Sequence, residues 1–214
     1  MKYTALIVAA GKGQRMGLGY NKVFFQLSEN VTVLEKTIAI FAEDEDCKEI
    51  VVVVSAAEYQ RCLLKNQSGN VVFVSGGERR ADSVYNGLMA VSQDKVLIHD
   101  GARPYLSLAC LKRVVEAAAD NKAVIPAVKV KDTIKYIVDD EVQETLNRDH
   151  IYHIQTPQAF DTELIIACYK KAFASGLEAT DDAQIVELCS DVTIKVVEGD
   201  LKNIKITTIE DLPK

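Results

Sequence analysis

The sequence lacks the motifs of several common enzyme classes. It contains no G-x-S-x-G nucleophile elbow, no H-E-x-x-H metal motif and no cysteine–histidine pair in a loop, so it does not predict catalysis through an activated side-chain nucleophile. The Walker A spacing G-x-x-x-x-G-K-[ST] is also absent, and a P-loop nucleotide site is therefore not expected.

Cysteine pairing, long apolar runs and excess positive charge are missing as well. The five cysteines are odd in number and form no C-x-x-C, which favours reduced thiols in a cytosolic protein. We find no signal peptide, and no apolar run approaches the roughly 20 residues of a membrane span. The net charge of −6 argues against a general nucleic-acid binder, which would carry a basic face. We therefore expect a cytoplasmic protein that binds neither membranes nor nucleic acids.

What is present suits a globular α/β protein. Hydrophobic residues make up 48% of the 214, which argues against disorder, and the length suits one domain over residues 1–214. Apolar strand-like runs alternate with helical patterns, so we predict a doubly wound, mainly parallel Rossmann-like sheet with helices on both faces. The predicted strands are Thr4–Ala10, Ile50–Val54, Val71–Val74, Lys95–Asp100, Ala123–Val128, Ile151–Gln155, Thr193–Val197 and Ile204–Thr207. One of the predicted helices opens at Thr180-Asp181-Asp182, with Thr180 as its N-cap.

The alternation stops at about residues 129–150. Two strand-like segments there flank the turn Asp139-Asp140-Glu141, which predicts a protruding two-stranded β-arm. Because an isolated hairpin is marginal in water, we expect a second subunit to cover it in a homodimer. A hairpin folded back on its own domain is the alternative.

The loop after the first predicted strand is rich in glycine and cations. Gly11, Gly13 and Gly17 permit close approach of the backbone to an anion, and Arg15 and Lys22 supply positive charge. We interpret this loop as a cradle for a nucleoside triphosphate, an ordinary tight turn being the alternative. The dinucleotide pattern G-x-G-x-x-G is broken because Met16 stands at its third glycine.

An acidic residue ends the strand Lys95–Asp100. Asp100 therefore lies at the carboxyl edge of the sheet, where open α/β sheets bind ligands. A carboxylate there can hold Mg²⁺ together with substrate phosphates; capping of the following loop is the alternative. Ser83, after Gly76-Gly77, can read a base or cap the next helix.

Three cations farther along the chain define a second possible anion site. Arg103, Arg148 and Lys205 are each typical surface charges when taken alone, but together they can face the first loop. A phosphate monoester is mostly a dianion at pH 7 and is itself nucleophilic. An enzyme that holds two such polyanions together needs cations and Mg²⁺ more than a base.

Taken together, the motifs resemble those of the 2-C-methyl-D-erythritol 4-phosphate cytidylyltransferases, in order and nearly from end to end. The segments that carry the resemblance are Ala9-Ala10-Gly11-x-Gly13-x-Arg15-Met16, Asn21-Lys22, Gly76-Gly77-x-x-Arg80-x-x-Ser83, His99-Asp100-Gly101-Ala102-Arg103-Pro104, Asp132-Thr133-Ile134-Lys135, Gln155-Thr156-Pro157-Gln158-Ala159-Phe160 and Glu198-Gly199-x-x-x-Asn203-Ile204-Lys205.

The resemblance implies transfer of a cytidylyl group from CTP to a polyol phosphate, with release of pyrophosphate. Arg15 and Lys22 would then stabilise charge on the α-phosphate, Asp100 would bind Mg²⁺, and Arg148 and Lys205 would position the attacking phosphate. The implied substrate-binding residues are Ala9, Ala10, Gly11, Gly77, Ser83, Arg103 and Thr133. The resemblance also implies a homodimer in which Thr133 and Arg148 serve the neighbouring subunit. Ribitol 5-phosphate as the acceptor and a non-catalytic nucleotide-binding module are the alternatives.

Overall fold

The computed structural model describes residues 1–11, 19–65 and 69–212. Strands and helices alternate along much of this length. The strands are β1 (Tyr3–Val8), β2 (Gln26–Ser28), β3 (Val31–Thr32), β4 (Cys47–Val54), β5 (Val71–Ser75), β6 (Lys95–Asp100), β7 (Ala123–Lys129), β8 (Ile134–Val138), β9 (Glu141–Leu146), β10 (Tyr152–Ile154), β11 (Gln158–Asp161) and β12 (Lys195–Glu198). The α-helices are α1 (Val33–Ala42), α2 (Ala56–Lys65), α3 (Arg80–Leu88), α4 (Leu108–Asp120), α5 (Thr162–Ser175) and α6 (Asp182–Cys189).

The main sheet has eight strands and is mostly parallel. Strands β5, β4, β1 and β6 are neighbours in that order and run parallel. Strand β11 is antiparallel and lies between β6 and β7, while β10 and β12 also pair with β7. The chain leaves β1 toward β4 on one side and later returns to β6 on the other, so β1 marks the switch point at which such sheets bind ligands.

Apolar residues on both faces of the sheet form two cores. On one face, Ile7 and Val52 belong to a buried cluster with residues of α1, α2 and α4, including Phe41 and Leu111. On the other face, Leu6 packs in a cluster with residues of α3, α5 and α6. The central strand β1 is buried on both sides, as its unbroken apolar run indicates. The predicted doubly wound fold is confirmed.

The predicted arm is present as a two-stranded hairpin. Strands β8 and β9 pair antiparallel in a sheet of their own, from Ile134 opposite Leu146 to Val138 opposite Glu141. Asp139 and Asp140 both have positive φ angles, 49° and 62°, as a two-residue hairpin turn of the primed type requires.

Two local predictions are wrong. Residues Ile204–Thr207 are not a strand; the backbone N–H of Ile206 instead donates to Ala102 O, and its side chain is buried against Val33. The N-cap of α6 is Asp181, whose carboxylate accepts from Gln184 N at 2.9 Å, whereas the hydroxyl of the predicted cap, Thr180, donates to the Gln184 side chain.

Candidate functional site

A cleft of about 770 Å³ lies at the carboxyl edge of the sheet. It is lined by the residues that follow β1, β4 and β5, by Asp100 at the end of β6, and by the C-terminal segment at Lys205 and Thr207. The adjoining parallel strands bring these turns together, although they are far apart in the chain. The cleft is therefore a product of the sheet topology.

The turn after β1 is held in place by a buried asparagine. The Asn21 amide donates to Ala9 O at 2.7 Å and to Glu58 Oε2 at 3.2 Å, and its Oδ1 accepts from Val23 N. It thereby caps the short 3₁₀ turn Lys22–Phe24 and ties it to the end of β1. Lys22, the first residue of that turn, is directed to the cleft by this connection.

The turn after β5 approaches the end of β1 very closely. A Cβ atom at Gly76 would lie 2.6 Å from Ala10 Cβ and 2.8 Å from Ser83 Oγ, so only glycine fits. The buried Ser83 hydroxyl accepts from Gly77 N and donates to Arg79 O, each at 3.1 Å. Arg79, not Ser83, is the N-cap residue of α3. Ser83 thus fixes the shape of the glycine turn that lines the cleft.

Asp100 lies among three cations. Its Oδ2 is 2.9 Å from Lys205 Nζ and 3.3 Å from Arg103 Nε, and its Oδ1 is 3.9 Å from Arg80 Nη2. The Asp100 side chain is only 11% exposed. Burial acts to raise the pKa of Asp100, but the positive charges of Lys205, Arg80 and Arg103 outweigh it and hold this pKa below its usual range. Asp100 is therefore an ionised carboxylate.

The backbone at Asp100 is held in place by a buried histidine and a buried threonine. Thr156 Oγ1 accepts from Asp100 N and lies 3.0 Å from His99 Nδ1, while His99 Nε2 lies 3.2 Å from Arg103 O. Burial lowers the pKa of His99 to about 4, so the ring is neutral at pH 7. Because a carbonyl oxygen only accepts, Nε2 carries the proton and Nδ1 accepts from the threonine. These bonds fix the peptide that carries Asp100.

Lys205 is brought to Asp100 by a buried network of amides. Gln155 donates to Asp200 O at 2.8 Å and accepts from Asp200 N, and Asn203 Nδ2 donates to Thr156 O. Arg103 Nη1 adds a bond of 2.7 Å to Asn203 O. The loop before Lys205 is thereby joined to the segment after β6 and to the segment before β11, and the lysine side chain reaches the cleft.

The donor set fits a divalent ion that is shared with a bound phosphate. The described residues contain no group of three or more histidine, cysteine or carboxylate side chains that could enclose a metal. Asp100 Oδ1 is nevertheless beyond hydrogen-bond distance of Arg80 and lines the cleft. Mg²⁺ is commonly held by one or two carboxylates together with substrate phosphates, which is what this cleft offers.

Most of the predicted site residues come together. The cleft is lined by Ala9, Ala10, Gly11, Lys22, Gly77, Ser83, Asp100 and Lys205. Arg103 contacts Asp100 directly. Thr133 and Arg148 are exposed residues in and beside the arm and do not line the cleft, and Arg148 donates to Lys131 O. Arg15 lies outside the described residues.

Three residues in and beside the cleft have contacts that the sequence motifs did not predict. Arg80 lines it, and its guanidinium binds the buried carboxylate of Asp182, which also accepts a hydrogen bond from Tyr169. Arg80 was visible as a motif residue. Asp182 and Tyr169 carried no local signal because their contacts to α3 are long-range.

The fold and cleft define a class. The sheet is doubly wound and has a cleft at its switch point, and glycine turns, cations and Asp100 line this cleft. This arrangement is typical of proteins that bind nucleotides or similar phosphorylated ligands.

Comparison with known proteins gives the particular family. The family model for 2-C-methyl-D-erythritol 4-phosphate cytidylyltransferase matches residues 3–214. The chain is 43% identical over 217 residues to the protein of that name from Geobacillus kaustophilus, covering 99% of this chain and 94% of the relative. It is 45% identical over 221 residues to the one from Alkaliphilus oremlandii, covering 99% and 92%.

Solved structures agree. The crystal structure of 4-diphosphocytidyl-2C-methyl-D-erythritol synthase from Anaerococcus prevotii superimposes with a TM-score of 0.85 at 41% identity, covering 99% of this chain and 92% of that one. The Thermus thermophilus cytidylyltransferase gives a TM-score of 0.84 at 34% identity, covering 99% and 96%. The chain therefore belongs to the 2-C-methyl-D-erythritol 4-phosphate cytidylyltransferase family. No helix in the part of the chain that the structure describes is long and apolar enough to cross a membrane.

Proposed function

We propose that this protein is an enzyme that joins CTP and 2-C-methyl-D-erythritol 4-phosphate to give 4-diphosphocytidyl-2-C-methyl-D-erythritol and pyrophosphate. A phosphate oxygen of the polyol phosphate forms a bond to the α-phosphorus of CTP. The bond between that phosphorus and the oxygen bridging to the β-phosphate breaks, and its electron pair leaves with pyrophosphate. The observation that carries the proposal is the convergence of Lys22, Asp100 and Lys205 on one cleft.

The lining of this cleft suits two phosphate compounds. The backbone of Ala9 to Gly11 and the side chain of Lys22 line it after β1, which suits the triphosphate. Lys205 lies beside Asp100 at the end of β6, and the nearby Arg103 adds a second positive charge. The protein's contribution is to overcome the repulsion between two polyanions and to align them.

Each charged residue has a proposed role in this arrangement. Lys22, together with Arg15, stabilises the charge that develops on the α-phosphate. Asp100 would hold Mg²⁺ with phosphate oxygens of CTP, and the ion when bound neutralises phosphate charge. Lys205 and Arg103 position the attacking phosphate. Ser83 and Gly77 shape the wall after β5, where we place the cytidine.

The choice of acceptor is tested by pyrophosphate release. With CTP and Mg²⁺ present, we expect turnover with 2-C-methyl-D-erythritol 4-phosphate and little with ribitol 5-phosphate. Equal or faster turnover of ribitol 5-phosphate would overturn the proposed acceptor. Binding of CTP without pyrophosphate release from either compound would identify a non-catalytic nucleotide-binding protein instead.

Lys205→Ala should raise KM for the polyol phosphate by about tenfold or more while changing KM for CTP less. The reason is that Lys205 supplies a positive charge that we assign to the attacking phosphate in the ground state as well as in the transition state. Steady-state pyrophosphate release with each substrate varied in turn measures both constants. Lys202→Ala, an exposed lysine in the same segment, is the matched control. An unaltered KM in Lys205→Ala would remove this lysine from the site.

We further propose that the arm forms a homodimer and that its residues complete the neighbouring cleft. Ile137 and Val142 are paired across the hairpin and are 54% and 58% exposed. Such adjoining apolar side chains on a two-stranded ribbon need a partner surface. In this arrangement Thr133 and Arg148 contact the polyol phosphate held by the other subunit.

Ile137→Asp should therefore convert the dimer to a monomer and lower activity. A carboxylate placed in an apolar interface is costly to desolvate. Sedimentation velocity at micromolar concentration reports the mass, and pyrophosphate release reports the activity. Leu64→Asp, at a highly exposed position on α2, controls for a surface charge elsewhere. A wild-type protein that sediments as a monomer would contradict the proposal.

A further inference from the structure

Arg80, one of the cations that line the cleft, is hydrogen-bonded to a fully buried carboxylate. Arg80 Nη1 and Nη2 donate to the two oxygens of Asp182 at 3.1 and 2.7 Å. The Asp182 side chain is 0% exposed, and its Oδ1 also accepts the Tyr169 hydroxyl at 2.6 Å. Two parallel bonds to a fixed carboxylate determine both the position and the plane of the guanidinium.

This pair is unlike an ordinary core ion pair because its two halves have different surroundings. Asp182 is enclosed, whereas the Arg80 side chain is 35% exposed, lines the cleft and lies 3.9 Å from Asp100 Oδ1. A buried ion pair contributes little net stability compared with apolar packing. The arrangement is better explained by what it does to the exposed half, which is to aim a fixed cation into the cleft.

The local charge balance points to an anion. Arg80, Arg103 and Lys205 lie around Asp100, and Arg80 also binds Asp182. The described residues that line the cleft include four cations, Lys22, Arg79, Arg80 and Lys205, and two carboxylates, Glu78 and Asp100. The surplus is suited to a polyphosphate, and the N–H groups of Arg80 that do not bind Asp182 remain as donors at the cleft surface.

We infer that Arg80 is a further phosphate-binding residue of the cleft and that Asp182, held by Tyr169, is the residue that positions it. The inference deepens the proposed function, since the ligand of Arg80 is the triphosphate of CTP. Asp182 begins α6 and Tyr169 lies on α5, so the packing of these two helices sets the position of a cation on α3.

The inference is tested by measuring how tightly two probes bind to the purified full-length protein, in whichever oligomeric state it is obtained. Isothermal titration with CTP and with inorganic tripolyphosphate, each with Mg²⁺, gives the Kd values, and thermal unfolding reports the fold. Asp182→Asn should raise the Kd of both probes by about tenfold to 10²-fold, which is the loss expected when a contacting group is misplaced. Tyr169→Phe should also raise both Kd values, but by a smaller factor.

Two comparison variants separate positioning from structure. Asp161→Asn breaks the Lys95–Asp161 ion pair at the opposite end of β6 and should leave both Kd values unchanged. Arg80→Lys keeps the charge but loses the paired donors, so it should not restore binding. If Asp182→Asn fails to fold, Arg80→Lys and Tyr169→Phe carry the test.

The outcomes distinguish this inference from the function on which it rests. Folded Asp182→Asn with unchanged Kd for both probes, or Arg80→Lys with wild-type affinity, overturns the inference alone. Weakened tripolyphosphate binding in a protein that releases no pyrophosphate overturns the proposed function and leaves the inference standing. A wild-type protein that binds neither probe overturns both.

Discussion

Replacing Lys22 with alanine should lower kcat by about 10²-fold or more, with a smaller change in KM for CTP. Lys22 lines the cleft beside the turn that follows β1, and we assign its ammonium group to the α-phosphate. Charge accumulates there as the new bond forms, so the lost interaction is stronger in the transition state than in the ground state. Removal of one preorganised donor at such a position typically costs this much.

Pyrophosphate release at saturating concentrations of both substrates measures this effect. Lys112→Ala, an exposed lysine on α4, provides the same change of charge away from the cleft. The position of Lys22 depends on Asn21, whose amide is bound to Ala9 O, so misfolding of this turn must be tested separately. A Lys22→Ala enzyme with unchanged kcat would show that the ammonium group does not contact the reacting phosphate.

Asp100→Asn should also lower kcat by about 10²-fold or more, at every Mg²⁺ concentration. The amide removes the negative charge that we assign to the divalent ion, and metal ions contribute several kcal/mol to transition states of this kind. It also leaves Lys205, Arg103 and Arg80 without the carboxylate that they surround. Thermal unfolding should therefore be followed beside activity.

A titration of Mg²⁺ against pyrophosphate release is the decisive measurement. The wild-type enzyme should lose activity when EDTA is added and regain it with excess Mg²⁺. Asp120→Asn, at the exposed end of α4, is the matched control and should behave as wild type. An Asp100→Asn enzyme with wild-type turnover would place the metal elsewhere.

The sequence predicted those elements whose signal is local. The strand Lys95–Asp100 has the predicted bounds because an apolar run ends at a polar residue. The same reasoning placed Asp100 at the edge of the sheet. Lys22, Gly77 and Ser83 were predictable from motifs that follow such strands.

Elements that depend on distant partners were not predictable in this way. Strand β11 has only four residues and no alternating pattern, yet it enters the sheet between β6 and β7. The apolar pattern of Ile204 and Ile206 indicated a strand, but it reflects burial of Ile206 rather than ladder pairing. The contact between Arg80 and Asp182 joins residues 102 positions apart, so no local pattern reports it.

The way in which the segment that carries Lys205 is anchored determines how activity could be lost separately from the fold. Its anchor residue Asn203 is bonded to Thr156 and Arg103, and Ile206 is fastened to Ala102, whereas the sheet itself contains no part of it. If Lys205 positions the attacking phosphate, as we propose, cleavage or local unfolding of this short stretch would stop turnover while the main sheet remained paired.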